Sequence, residues 1–212
     1  MANRPQTMKK RIINKSFKTV IFDYDGTLFD TDIMQQYVGG TKKFPRFSPQ
    51  WIEARKEYLS HIGEVKLYDG WTEVFKFLRE NNIQAAIVSG NNREVLNLAT
   101  KTFGLRDLFP KEKVNRIGCR DVNGRITRKR GGNPTLFEHA LKQLDVTGDN
   151  AISFGNELCD AIGASKCGIT AYNCLWGATD KEKELMQNDT EHICLTDPRQ
   201  IIEILKSTCS PS

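Results

Sequence analysis

At 212 residues, with 39% of them hydrophobic and a mean hydropathy of −0.49, the chain can bury a core of its own, and no run in it is apolar enough to span a bilayer. A net charge of +5 favours anionic ligands in a general way. The six cysteines (Cys119, Cys159, Cys167, Cys174, Cys194 and Cys209) form no CxxC pair and sit mostly among apolar or small residues, the pattern of reduced structural thiols in a cytoplasmic protein.

Residues 1–16 read as a polar, basic lead-in without the apolar centre of a secretion signal. Next comes Val20-Ile21-Phe22-Asp23-Tyr24-Asp25-Gly26-Thr27-Leu28, where a buried strand gives way to a glycine turn and two carboxylates stand two residues apart. In open α/β sheets the reactive crevice lies at the carboxyl ends of such strands, so Asp23 and Asp25 are expected in a cleft. Carboxylates this close repel, and they need a cation, a shared proton or a task that keeps one of them protonated. Mg²⁺ between carboxylate oxygens and a substrate phosphate meets that need. One aspartate could then attack phosphorus while the other handles the leaving group's proton.

Residues 31–67 interrupt the pattern with a helix of their own: Ser48 as N-cap, Pro49 in the first turn, then Trp51, Arg55, Tyr58, Leu59 and Ile62 at helical spacing. Trp51, Arg55, Tyr58 and His61 are the side chains there best suited to meet a substrate, although an amphipathic helix seating aromatics on the core explains them too. From Trp71 onward, helices and strands alternate. A helix through Trp71, Val74, Phe75 and Leu78 leads to a strand at Ile83 to Val88, then Ser89-Gly90-Asn91-Asn92, then a helix stopped by Gly104. A strand at Val114 to Cys119 precedes Val122-Asn123-Gly124-Arg125, a tight hairpin signal. Asn133-Pro134 opens a helix running through Leu144. Strands at Ala151 to Phe154 and Ile169 to Tyr172 and a closing helix from Pro198 to Leu205 complete the order. This alternation predicts an α/β fold: a doubly wound, mainly parallel Rossmann-like sheet with helices on both faces.

Around these residues the chain resembles the haloacid dehalogenase-like (HAD) superfamily, in its phosphatase branch. Asp23-Tyr24-Asp25-Gly26-Thr27 matches its DxDGT motif, which implies Asp23 as nucleophile, Asp25 as acid and base, and Gly26 and Thr27 beside the phosphate. Ser89 stands where the second motif has Ser or Thr, and its hydroxyl, with the amides at Gly90 and Asn91, can donate to a phosphate oxygen. In the third motif, alignment on Pro134 puts Gly131 where relatives carry lysine, so Lys129 or Arg130 must supply the cation, with Lys129 preferred. The fourth motif reads Gly155-Asn156-Glu157-Leu158-Cys159-Asp160, with Asn156 replacing the usual aspartate. The implied Mg²⁺ ligands are Asp23, the Asp25 carbonyl, Asn156 and Asp160, and Asp160 is also suited to orienting a metal-bound water. The resemblance divides the chain into a core of residues 17–30 and 68–212 and a short helical cap of residues 31–67.

The activity implied is a Mg²⁺-dependent phosphatase that acts through an aspartyl-phosphate on a small phosphorylated substrate. Asp25 argues against a dehalogenase, because displacing halide from carbon needs no acid there, and the short cap argues against a phosphomutase. A phosphate-binding protein without turnover is the rival, kept open by Asn156 and Gly131. No membrane or nucleic-acid partner is expected; the basic run Arg125 to Arg130 reads as solvated surface, since no aromatic residues interleave it.

Overall fold

The structure, a computed structural model, describes residues 17–33, 48–110, 115–122, 124 and 126–208. The basic lead-in, part of the inserted segment, Asn123 and Arg125 of the hairpin signal, and Cys209 lie outside the described residues. Strand β1 (Thr19–Phe22) pairs in parallel with β4 (Gln84–Val88) on one side and β6 (Ala151–Gly155) on the other. Beyond β4 lies β5 (Arg116–Ile117), and beyond β6 lie β7 (Thr170–Cys174) and β8 (Ile193–Leu195). The sheet thus reads β5-β4-β1-β6-β7-β8, all parallel, and the winding reverses at β1. A separate antiparallel pair, β2 (Phe29–Asp30) and β3 (Lys66–Leu67), brackets the inserted segment.

Seven α-helices are described: α1 (Pro49–Ser60), α2 (Trp71–Glu80), α3 (Arg93–Thr102), α4 (Thr135–Leu144), α5 (Leu158–Ser165), α6 (Asp180–Asn188) and α7 (Gln200–Thr208). Strand side chains alternate between faces, so Val20 and Phe22 of β1 join Ala85, Ile87, Ile152 and Phe154 in one cluster with apolar residues of α2, α3 and α7. Ile21 joins Ala86, Val88 and Ala151 in the other, with α4 and α5. Phe22 anchors the first cluster, edge-on to Trp71 at 5.0 Å and stacked on Phe154 at 5.8 Å. Each of these fully buried side chains contributes roughly 1.5–3 kcal/mol of transfer free energy.

The sequence pattern does not mark α5, α6, β8 or the short β2-β3 pair. Helix α6 is mostly charged and buries only Met186, so it carries no apolar stripe, and β8 has three residues of which only Leu195 is buried. Strand β7 continues to Cys174 because Asn173, a polar residue that reads as a strand end, is fully buried in its ladder. Strand β5 is only two residues long, and Gly118 after it lies so close to Asn91 and Arg93 that a Cβ there would come within 2.6 Å of backbone. Among the described residues no helix is long and apolar enough to cross a membrane.

The β8 edge is tied to α5 by a side-chain chain. His192 Nδ1 lies 2.6 Å from Asp189 Oδ2, and its Nε2 lies 2.8 Å from Ser165 Oγ. A carboxylate only accepts, so Nδ1 donates to Asp189, and the other ring nitrogen meets the serine hydroxyl. The neighbouring amides of Lys166, Cys167 and Gly168 all bond back to helix carbonyls, so this trio meets no oxyanion donors and acts as a clip. His192→Ala is expected to lower stability by about 1–3 kcal/mol in urea unfolding. A loss below about 0.5 kcal/mol would show that the clip holds nothing.

Candidate active site

Asp23 extends β1 by one residue, its amide donating to Phe154 O at 3.0 Å. Strand alternation turns it to the same face as Ile21, the face covered by α4 and α5. Its partners come from the loop that leads into α4 and from α5. The Lys129 ammonium bonds Asp23 Oδ1, lies 2.5 Å from Asp160 Oδ1 near the start of α5, and donates to Val88 O at 3.3 Å. All three side chains are buried.

Lys129 reaches this position by a loop fixed at both ends. On its way in, Thr127 N donates to Cys119 O at 2.7 Å; on its way out, the amides of Gly132 and Asn133 return to Lys129 O at 3.0 and 3.1 Å. Gly131 and Gly132 both take left-handed φ, near +67° and +68°, and Gly132 lies against Ile162 so closely that a Cβ would come within 2.3 Å. Asp160 is fixed as well: its Oδ2 accepts from Glu157 N at 3.2 Å as half of a capping box. Asp160, expected at the metal or its water, has one oxygen beside Lys129 and the other on the helix start. Arg130, the other candidate cation, is exposed and makes no described bond to this cluster.

Asp25 is held separately. Asn91 Nδ2 donates to its Oδ2 at 2.6 Å, and Thr31 also hydrogen-bonds the carboxylate. Burial lifts the Asp25 carboxyl to about 6, reinforced by Glu157 and opposed by Thr31, Lys129 and Asn91. A carboxyl placed there can carry a proton near neutrality and release it. Ser89 is buried, with Oγ accepting from Asn91 N at 3.0 Å, and Gly90 between them is exposed with open space where a Cβ would stand. Sequence reasoning missed Thr31, which carried no motif and differs from a turn residue only through its bond to Asp25.

The glycine turn is clamped from behind. Trp71 Nε1 and Trp176 Nε1 both donate to Thr27 O at 2.9 Å. Asn156 Oδ1 accepts from Thr27 Oγ1, and Asn156 Nδ2 donates to Gly177 O, each at 3.1 Å. Gly26 and Gly177 approach so closely that a Cβ on Gly177 would come within 1.9 Å of Gly26 O. Trp176-Gly177 was invisible in the sequence reading because nothing in a Trp-Gly pair reveals a partner so far away in the chain.

The charges here suit a divalent cation. Asp23, Asp25, Glu157 and Asp160 interact electrostatically around a single described ammonium, Lys129. Burial pushes the Asp23 carboxyl up, Lys129 pulls it down, and Asp160 and Asp25 push it up again. The two carboxylates hold Lys129 protonated in spite of its burial. A dication beside Asp23 would offset the surplus negative charge, and the available donors, carboxylate and amide oxygens, are the hard ligands Mg²⁺ takes. No group of three or more His, Cys, Asp or Glu side chains forms a metal cage among the described residues, so substrate and water would complete the coordination.

The profile of the haloacid dehalogenase-like hydrolases matches residues 32–173, which include Ser89, Lys129, Asn156 and Asp160. The chain belongs to that family. It is 25% identical over 181 residues to pyrophosphatase PpaX of Halalkalibacterium halodurans, covering 71% of this chain and 80% of the relative. A protein provisionally given the same name, from Caldanaerobacter subterraneus subsp. tengcongensis, is 24% identical over 88% of this chain and 94% of its own. Among solved structures, a HAD family hydrolase from Deinococcus radiodurans R1 with bound phosphate and sodium superposes with a TM-score of 0.70 at 18% identity, covering 93% of this chain and 99% of that one. This hydrolase therefore shares its fold with a solved structure that holds phosphate, and the two relatives carry the name pyrophosphatase.

Asn156→Asp tests the clamp. The substitution replaces the donor to Gly177 O with a carboxylate, so in the absence of metal a loss of about 1–3 kcal/mol is expected from thermal unfolding, with a larger Mg²⁺-dependent recovery than the wild type shows. Unchanged stability without metal would show that the amide clamp does not hold the loop.

Proposed function

We propose that the protein is a Mg²⁺-dependent, cytoplasmic phosphatase that hydrolyses a small phosphorylated substrate through an aspartyl-phosphate on Asp23. The observation that supports it best is the division of labour between the two motif aspartates. Asp23 is bound to the buried Lys129 ammonium, which opposes the upward push of burial on its carboxyl, and Asp25 is lifted to about 6 and held by neutral donors. A general acid requires the state of Asp25, and a dication beside Asp23 would supply the further positive charge its anionic, nucleophilic form requires. The five described cysteines are free thiols, which suits a reducing compartment.

Asp23 would attack phosphorus in line as the bond to the leaving oxygen breaks, and Asp25 would give that oxygen its proton. Asp25 would then take a proton from the water that attacks the aspartyl-phosphate, releasing phosphate and regenerating Asp23. Ser89 Oγ, the Gly90 amide and the Gly26-Thr27 turn would hold the equatorial oxygens, with Asn91 N on Ser89 Oγ leaving the hydroxyl proton for the phosphate. Lys129, which has three donors, would move one from Asp23 to the phosphate as Asp23 turns nucleophile, and Asp160 would keep it in place. Asp23, Asn156 and the Asp25 main-chain carbonyl would hold Mg²⁺, whose charge would offset that of the phosphate and expose phosphorus to attack.

One observation favours a second reading, a phosphate-binding protein without turnover: Asn156 brings no charge, and both ends of its amide are already engaged. Turnover of p-nitrophenyl phosphate with and without Mg²⁺ separates the two, and absence of chloride release from a 2-haloacid sets dehalogenation aside. Asp23→Asn is expected to abolish turnover with the fold intact by circular dichroism; activity within about tenfold of wild type would remove Asp23 as nucleophile. Asp25→Asn is expected to lower kcat by about 10²–10⁴ on an alkyl phosphate. It should cost less on p-nitrophenyl phosphate, whose leaving group needs little help from an acid, and equal losses on both would contradict a general-acid role.

A further inference from the structure

The two oxygens of the Asp25 carboxyl are not equivalent. Oδ2 accepts from Asn91 Nδ2 at 2.6 Å. An amide nitrogen only donates, which favours the bare oxygen at Oδ2 and leaves a proton to Oδ1; the reverse orientation of the amide would set its oxygen against the carboxylate. Thr31, the other side chain bonded to this carboxyl, has a hydroxyl that donates or accepts and so fits either state. Of these two partners, only Asn91 distinguishes the bare oxygen from the protonated one.

Asn91 is itself fixed at both main-chain ends. Its amide donates to Ser89 Oγ at 3.0 Å, and its carbonyl accepts from Cys119 N at 2.7 Å. Gly118 packs so closely that a Cβ on it would come within 2.8 Å of Asn91 O. That glycine's amide donates to Asp121 Oδ2 at 2.7 Å, and Arg93 pairs with the same oxygen at 3.0 Å. On its other side, Cys119 O accepts from Thr127 N, in the run that carries Lys129 to Asp23. Main-chain bonds at Cys119 thus tie the residue that holds Asp25 to the loop that holds Asp23. A general acid must present its proton within hydrogen-bond reach of the leaving oxygen, and a fixed donor on its other oxygen keeps it turned that way.

Resting on the phosphatase reading, we propose that Asn91 is a positioning residue: its side-chain amide anchors Asp25 Oδ2 and leaves Oδ1 as the oxygen that gives its proton to the leaving group as the P–O bond breaks, then takes one back from the attacking water. The bond is to the acid, so its loss should lower kcat and spare KM.

Asn91→Ala removes the donor and keeps both main-chain bonds, and Asn91→Leu does so while keeping the volume; circular dichroism checks that each is folded. Rates with Mg²⁺ compare phenyl phosphate, whose leaving oxygen needs a proton, with p-nitrophenyl phosphate, similar in shape, whose leaving oxygen needs it less. Both variants are expected to lower kcat on phenyl phosphate by about 10- to 100-fold, the range of one hydrogen bond to a charged group. On p-nitrophenyl phosphate the loss should be at most about threefold, with KM for both within about twofold of wild type. In the Asp25→Asn background, Asn91→Ala should cost no more than about a further twofold, because the acid it positions is gone. Asn92→Ala removes the neighbouring amide, which caps α3 at Val95 N, and should leave the ratio of the two substrates unchanged. Equal losses on both substrates, a raised KM with kcat kept, additive losses in the Asp25→Asn background, or the same change of ratio in Asn92→Ala overturns the proposal while the phosphatase reading stands. So does a wild type that hydrolyses p-nitrophenyl phosphate but not phenyl phosphate. A wild type that hydrolyses neither overturns the phosphatase reading, and the proposal with it.

Discussion

The site depends on one buried ammonium shared by two carboxylates. Lys129 lies between Asp23 and Asp160 and offsets the charge of both buried acids. Burying charge is expensive, and a buried ion pair is often no better for stability than apolar residues of the same volume, yet removing one partner typically costs about 3–5 kcal/mol. Such a group is therefore poor evidence of stabilisation and good evidence of use. Its consequence here is geometric: a flexible side chain is held on Asp23, with Val88 O taking its remaining donor.

What surrounds that ammonium exists to place it. The sheet reverses its winding at β1, so the carboxyl ends of β4, β1 and β6 lie side by side and bring Ser89, Asp23 and Asn156 to one rim. The Gly131-Gly132 turn presents Lys129, and the capping box of α5 fixes Asp160. Behind the catalytic turn, two indoles on one carbonyl and the Asn156 amide between Thr27 and Gly177 keep the loop from moving. Asn156 thus does with neutral hydrogen bonds what a carboxylate could not, because an acid has no donor for Gly177 O. The same residue that clamps the loop leaves the rim one acid short.

The parallel sheet and the position of the two motif aspartates were legible because apolar runs ending in Asp-Gly and Ser-Gly are local signals. Helix α1 was legible for the same reason, down to Ser48 Oγ accepting from Trp51 N at 3.2 Å. Other features depend on contacts between residues far apart in sequence. Spacing alone left Lys129 and Arg130 as rivals, since Gly131 stands where the motif lysine would be; the two left-handed glycines decide which of them turns inward. The missing acid at Asn156 was visible, but its partner Gly177 was not. Asp160 was visible as an acid, but the Lys129 cation beside it was not. Helix α6 and strand β8 escaped because they bury too little to leave a pattern.

The central claim is that Asp23 itself becomes phosphorylated. The most direct measurement is chemical trapping: enzyme mixed with Mg²⁺ and p-nitrophenyl phosphate, quenched in acid, reduced with borohydride and mapped by peptide mass spectrometry. An acyl phosphate is reduced where a free carboxylate is not, so the account predicts homoserine at position 23 and an unmodified Asp25. Steady release of nitrophenol with Asp23 unreduced at every quench time, or homoserine at another acid, would contradict it.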